Sequence, residues 1–126
     1  MISLTNVSKR YPSGNLALDN VNLEIGKGEF VFIVGSSGAG KSTLMRLLLR
    51  EEVPTSGRII VNGKNVGELR RREIPYFRRT LGVVFQDFRL IPTMNVYDNV
   101  AFALRATNVS TRDIRQRVPY ILNLVG

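Results

Sequence analysis

Eight consecutive residues, Gly35, Ser36, Ser37, Gly38, Ala39, Gly40, Lys41 and Ser42, restrict what this chain can fold into more than any other stretch. They fit G-x-x-x-x-G-K-[ST] in full. An unbroken apolar run at residues 30–34 precedes them, and Leu44, Met45, Leu47 and Leu48 follow at helical spacing. Strand, glycine-rich loop and helix in that order make an anion cradle. Gly35, Gly38 and Gly40 let backbone N–H groups wrap a phosphate chain without intruding side chains and allow the unusual φ values of the turn. The helix opening near Lys41 aims its first N–H groups and its dipole at the same anion. The Lys41 ammonium suits the β/γ-phosphates, and the Ser42 hydroxyl is a hard oxygen ligand suited to Mg²⁺. The hydroxyls of Ser36, Ser37 and Thr43 fit phosphate contacts and helix-start roles equally well. The motif implies a bound nucleoside triphosphate with Mg²⁺. By itself it names neither the nucleoside nor the reaction, since kinases, GTPases and motor ATPases share it.

Around this loop the chain reads as α/β. Residues 2–11 predict a strand, although Ile2, Leu4 and Val7 alternate only in part. Pro12, Ser13, Gly14 and Asn15 make a turn, and Val21, Leu23 and Ile25 mark a second short strand. Residues 30–34 and 81–85 read as strands buried on both faces. Residues 59–61 are a short strand closed by a turn at Asn62-Gly63. Residues 69–80 are basic and helical in pieces, broken at Pro75. Residues 95–105 predict a helix. Ser110 is placed as an N-cap with Asp113 three residues on, and Pro119 predicts a kink or two helices beyond it. Strands come mostly first and helices later, which suggests a mixed sheet.

Composition removes several function classes. The chain has 126 residues, one small domain or part of a larger one. There is no cysteine, so disulfides and thiolate metal sites are excluded, and no histidine, the commonest general base. The longest apolar runs fall far short of the roughly 20 residues of a membrane-spanning helix, and a soluble, cytoplasmic protein is the expectation. The net charge of +8 favours anionic partners. Arg70, Arg71, Arg72, Arg78 and Arg79 form a basic cluster that suits either a solvated face or acidic lipid headgroups. A nucleic-acid binder would also use that charge, but it leaves the phosphate loop unexplained.

Two outlying residues narrow the field. Tyr11 precedes Gly35 by 24 residues, and Gln86 follows Lys41 by 45. With the text around Glu29, Phe85, Gln86, Asp87 and Tyr97, this layout resembles the nucleotide-binding subunits of ABC transporters, closest to the FtsE-like branch that acts in bacterial cell division. The resemblance runs over the whole chain. It implies an ABC-type P-loop fold: a mixed sheet with an antiparallel N-terminal β-subdomain, the P-loop helix and the start of a helical subdomain. Residues 1–86 would be the nucleotide-binding core, and 87–126 the segment after Gln86 with the first helices. It further implies that Tyr11 stacks on adenine, that ATP with Mg²⁺ is the nucleotide, and that Gln86 meets Mg²⁺ and the attacking water. Lys41 and Gln86 are then the catalytic candidates, with Ser42 and Gln86 at the metal.

The resemblance also implies partners. Two such subunits sandwich ATP as a homodimer at the cytoplasmic face of the membrane, and residues 87–99 receive a helix of an FtsX-like integral membrane protein at the division site. No nucleic acid is expected. An importer or a lipoprotein or macrolide exporter subunit is the alternative within the family, and a non-ABC kinase or GTPase outside it. Three further family features are missing: the LSGGQ-like signature, the apolar strand ending Asp-Glu and the switch histidine. The chain therefore reads as an N-terminal half, expected to be inactive and poorly soluble alone, with residues 30–34 deprived of sheet neighbours.

Overall fold

The structure is a computed structural model describing residues 1–126. It divides into two compact units, Met1–Arg78 and Arg79–Gly126. The first is built on an antiparallel four-stranded sheet of order β2-β1-β3-β4, with β1 Ile2–Arg10, β2 Leu16–Ile25, β3 Ser56–Val61 and β4 Lys64–Asn65. β1 is central: Leu4 pairs with Leu23 on one side and with Ile59 on the other.

The incomplete alternation of β1 has a local cause. The register slips between Leu4 and Val7, where Asn6 takes a φ of 49°, so both side chains reach the core despite their odd spacing. The irregularity is held by side chains: Asn6 N–H donates to Asn22 Oδ1 at 2.9 Å, and Asn20 N–H, at another positive φ, donates to Ser8 Oγ at 2.9 Å. The β3–β4 hairpin turns at Asn62 and Gly63, both at positive φ, the type I′ geometry that matches strand twist.

Helix α1, Lys41–Leu48, covers the sheet with Leu44 and Leu47, and Leu48 and Leu49 are buried beside them. It ends in a Schellman motif: Glu51 N–H donates to the Arg46 carbonyl at 2.8 Å and Arg50 N–H to the Leu47 carbonyl at 3.1 Å, with Arg50 at a φ of 57°. The Arg78 guanidinium donates to the Leu49 and Arg50 carbonyls at 2.9 and 3.0 Å. Of the expected basic cluster, then, Arg78 is spent on backbone. Helix α2, Ile74–Arg78, contains Pro75 in its first turn, where a missing N–H costs nothing, so the proline starts this helix instead of breaking one.

Two expected strands do not form. Residues 30–34 and 81–85 join no ladder. Phe30, Phe32 and Val34 are 84, 78 and 86% exposed, not buried. A strand needs hydrogen-bonded neighbours on its edges and covered faces, and residues 30–34 have neither here. Every ladder present is antiparallel; the parallel component of a mixed sheet would have to run through these residues.

The second unit is a helical hairpin, α3 Val96–Ala106 and α4 Thr111–Val125. Asn95 Oδ1 caps α3 by accepting from Asp98 N–H at 2.8 Å, and Ser110 Oγ caps α4 by accepting from Asp113 N–H at 3.1 Å. Ala101, Ile114 and Val118 are buried between them, with Tyr97, Val100, Leu104, Val109 and Leu122 packed around. Pro119 does not divide the second helix, which runs as one element through it. No helix is long and apolar enough to cross a membrane.

Candidate functional site

The loop between residues 34 and 41 is exposed and shaped by its glycines. Gly38 and Gly40 lie at φ of 81° and 91°. Gly40 is also confined by the sheet: a Cβ there would sit 2.5 Å from the Ala17 carbonyl oxygen and 2.9 Å from Leu18 Cδ2. Its lack of a side chain therefore serves the docking of the loop on β2 as well as the turn. Ala39 N–H donates to the Ser36 carbonyl at 3.2 Å, closing the turn. Gly40 is the N-cap of α1, and no side chain caps that end. The first N–H groups of the helix are thus left without a side-chain acceptor, the condition that suits an anion there.

The Lys41 ammonium reaches back over the loop and donates to the carbonyls of Gly35 and, at 2.6 Å, Ser36. Together the positive-φ turn, the uncapped helix start and the ammonium fit a polyphosphate. The donor set fits magnesium held through phosphate: Ser42 offers an exposed hydroxyl, and no cluster of three acidic or imidazole side chains exists to cage a metal by protein alone.

Tyr11 stands just past the end of β1. Its hydroxyl lies 3.2 Å from Thr43 Oγ1 and 3.3 Å from Glu52 Oε1. A phenol has one proton, which goes to the carboxylate, so Thr43 is the donor to Tyr11. Glu52 Oε1 also accepts from Arg46 Nη1 at 3.3 Å, and Oε2 lies 3.3 Å from Lys9 Nζ, an ion pair without hydrogen-bond geometry. Burial pushes the Glu52 carboxyl up, but the Tyr11 hydrogen bond, the adjacent Lys9 ammonium and the Arg46 hydrogen bond outweigh it and hold the group below the usual carboxylate range. Lys9 Nζ lies over the Tyr11 ring at 5.3 Å from its centroid and donates to the Val53 carbonyl at 2.9 Å.

Tyr11, Gly35, Ser36, Ser37, Gly38, Ala39, Gly40, Lys41, Ser42 and Thr43 all fall within the first unit. The Thr43 hydroxyl, which fitted a phosphate contact and a helix-start role equally, is turned to Tyr11, and Thr43 is buried. Gln86 belongs to the second unit and sits exposed at the start of a turn. There Phe88 N–H donates to the Phe85 carbonyl at 3.1 Å, and Phe88 and Arg89 both take positive φ. The Arg89 guanidinium stacks 3.8 Å from the Phe85 ring centroid. Sequence reasoning passed over Lys9, Arg46 and Glu52. The one available signal was an acidic pair, Glu51-Glu52, directly after the P-loop helix.

Comparison with known proteins agrees with this architecture. The profile of the ABC transporter family matches residues 18–126, and the chain belongs to that family as one of its ATP-binding cassettes. Among curated relatives, the cell division ATP-binding protein FtsE of Mycobacterium tuberculosis is 52% identical over the whole chain, which covers 55% of that protein. The methionine import ATP-binding protein MetN of Helicobacter hepaticus is 46% identical over the whole chain, which covers 36% of it. A solved dimeric ATP-binding cassette, MJ0796 in a post-hydrolysis state bound to ADP and Pi, superposes with a TM-score of 0.87 at 37% identity, over 98% of this chain and 56% of that one. The chain thus spans about half the length, or less, of the relatives it matches.

Proposed function

We propose that this chain is the nucleotide-holding part of an ATP-driven ABC subunit that acts in bacterial cell division with an FtsX-like integral membrane protein. The loop geometry carries the nucleotide half of this reading: an uncapped helix start, two glycines at positive φ and the Lys41 ammonium belong to one exposed loop. Backbone N–H groups from Gly35, Ser36, Ser37, Gly38, Ala39, Gly40 and Thr43 would wrap the phosphates, with Lys41 on the β/γ-phosphates. Tyr11 would stack on adenine, and Ser42 and Gln86 would meet Mg²⁺, Gln86 also orienting the attacking water. Identity to FtsE over the full chain favours cell division, and dimerisation is expected because the related MJ0796 cassette is a dimer.

Identity to MetN favours a second reading, an importer subunit. Depletion in the source bacterium separates the two. A division block with intact methionine uptake supports the first, and failed uptake with normal division supports the second. Calorimetry on the full chain should find MgATP bound in preference to MgGTP, and no nucleotide affinity at all would end both readings.

A further inference from the structure

Tyr11 is held by more than its own strand. Its hydroxyl is tied to Thr43 in the first turn of α1 and to Glu52 just beyond the last turn of the same helix. Arg46, midway along α1, grips the same Glu52 oxygen, and Lys9 holds the other from β1. The Glu52 side chain is 22% exposed and Lys9 15%, so that pair is partly shielded from water, whereas Arg46 is 54% exposed. Lys9 stands over one face of the ring, which leaves a flat ligand the opposite face. A nucleotide has a fixed reach between its phosphates and its base. A ring fastened to both ends of the helix whose start faces the phosphate loop is set at a fixed distance from that loop.

We infer that Glu52 is a positioning residue for the base: with Lys9, Arg46 and Thr43 it locks the Tyr11 ring at one distance and tilt from the phosphate loop, so that nucleotides are selected by span as well as by charge. This rests on the reading of Tyr11 as the base platform. It predicts that losing the clamp costs base recognition and spares the phosphate contacts, because a loosened ring must be ordered again each time a base binds.

The test measures, on the full chain, the affinities of MgATP and of magnesium tripolyphosphate, which lacks the base, and takes their ratio. Glu52→Ala should lower the ratio by about fivefold to tenfold. Tyr11→Phe, which keeps the ring and removes the tether, should lower it similarly, and the double variant no further than either alone, since both cut one linkage. Glu52→Gln can keep an acceptor at Oε1 for the phenol and Arg46 but loses the charge and sets an amide donor against Lys9, and should fall between; it carries the test if Glu52→Ala fails to fold. A ratio unmoved by the Glu52 variants but lowered by Tyr11→Ala overturns the clamp and leaves Tyr11 as the platform. A ratio unmoved by Tyr11→Ala as well overturns both. Parallel loss of the two affinities in Glu52→Gln overturns the clamp by showing that Glu52 acts through the loop.

Discussion

At Lys41 and Gly40 the same few atoms answer to both folding and ligand. The Lys41 ammonium is satisfied by two loop carbonyls, and a phosphate would take it as a charge-assisted partner. Lys41→Ala should therefore weaken MgATP binding by about 1.5–3 kcal/mol, read by calorimetry, with little change in unfolding midpoint. Gly40→Ala should do the reverse in part. It places a Cβ against the Ala17 carbonyl at a φ that disfavours L-residues, so it should lower stability by at least about 1–2 kcal/mol and distort the loop. Glu52 gives a pH signature. Its carboxyl titrates below its ordinary value of 4.5 in the fold, facing Lys9, Arg46 and Tyr11. Its contribution to stability is complete above that value and is lost as pH falls through the lower folded one. Acid unfolding followed by circular dichroism should show wild type and Glu52→Gln converging only at that acid end. A gap that persists there would mean that packing, not charge, holds the cluster. These three residues were not equally legible beforehand: the P-loop glycines and lysine announce themselves by spacing, whereas Glu52 is tied to Tyr11 across 41 positions and by no motif.

Elements were readable where a local signal decides them and unreadable where a neighbour does. Asn95 and Ser110 cap the two hairpin helices with their own side chains, as short-range patterning predicts for Ser110. Residues 30–34 carry an equally strong strand pattern, yet ladder formation depends on other strands, which periodicity cannot supply. The phase slip in β1 was visible as broken alternation but became a bulge only once Asn6 was seen at positive φ. The later part of the segment after Gln86 is tied to α3 by the Asn99 side chain. Asn99 accepts from Ile91 N–H at 2.8 Å and its amide donates to the carbonyls of Ile91, Met94 and Asn95 at 3.0–3.1 Å. Asn99→Ala should therefore speed amide exchange at Ile91 by about tenfold or more while the α3–α4 pairing persists. Phe88 and Leu90 stand 74 and 67% exposed on the same segment. If it receives the membrane partner, Phe88→Asp should weaken capture of that partner and leave the MgATP isotherm intact; equal loss of both would tell against a docking role.

Taken whole, the molecule exposes large apolar side chains in both of its compact units. Phe30, Phe32 and Val34 are exposed in the first unit, and Tyr120, Leu124 and Val125 in the second. The two patches differ in kind. The helical patch has its backbone N–H groups bonded within α4, so it offers chiefly side chains. Residues 30–34 offer side chains together with unladdered backbone N–H and C=O groups, the combination that templates pairing between chains. Self-association of residues 1–126 should therefore run through the strand-like segment first. Sedimentation velocity on this polypeptide should find concentration-dependent oligomers, and Phe32→Lys should shift them strongly toward monomer, because a charge on an unpaired edge blocks stacking. Leu124→Lys, of equal charge on the helical patch, should do much less. If the helical substitution restored the monomer and the strand substitution did not, exposed side chains alone would drive association, and the open backbone of residues 30–34 would have no part in it.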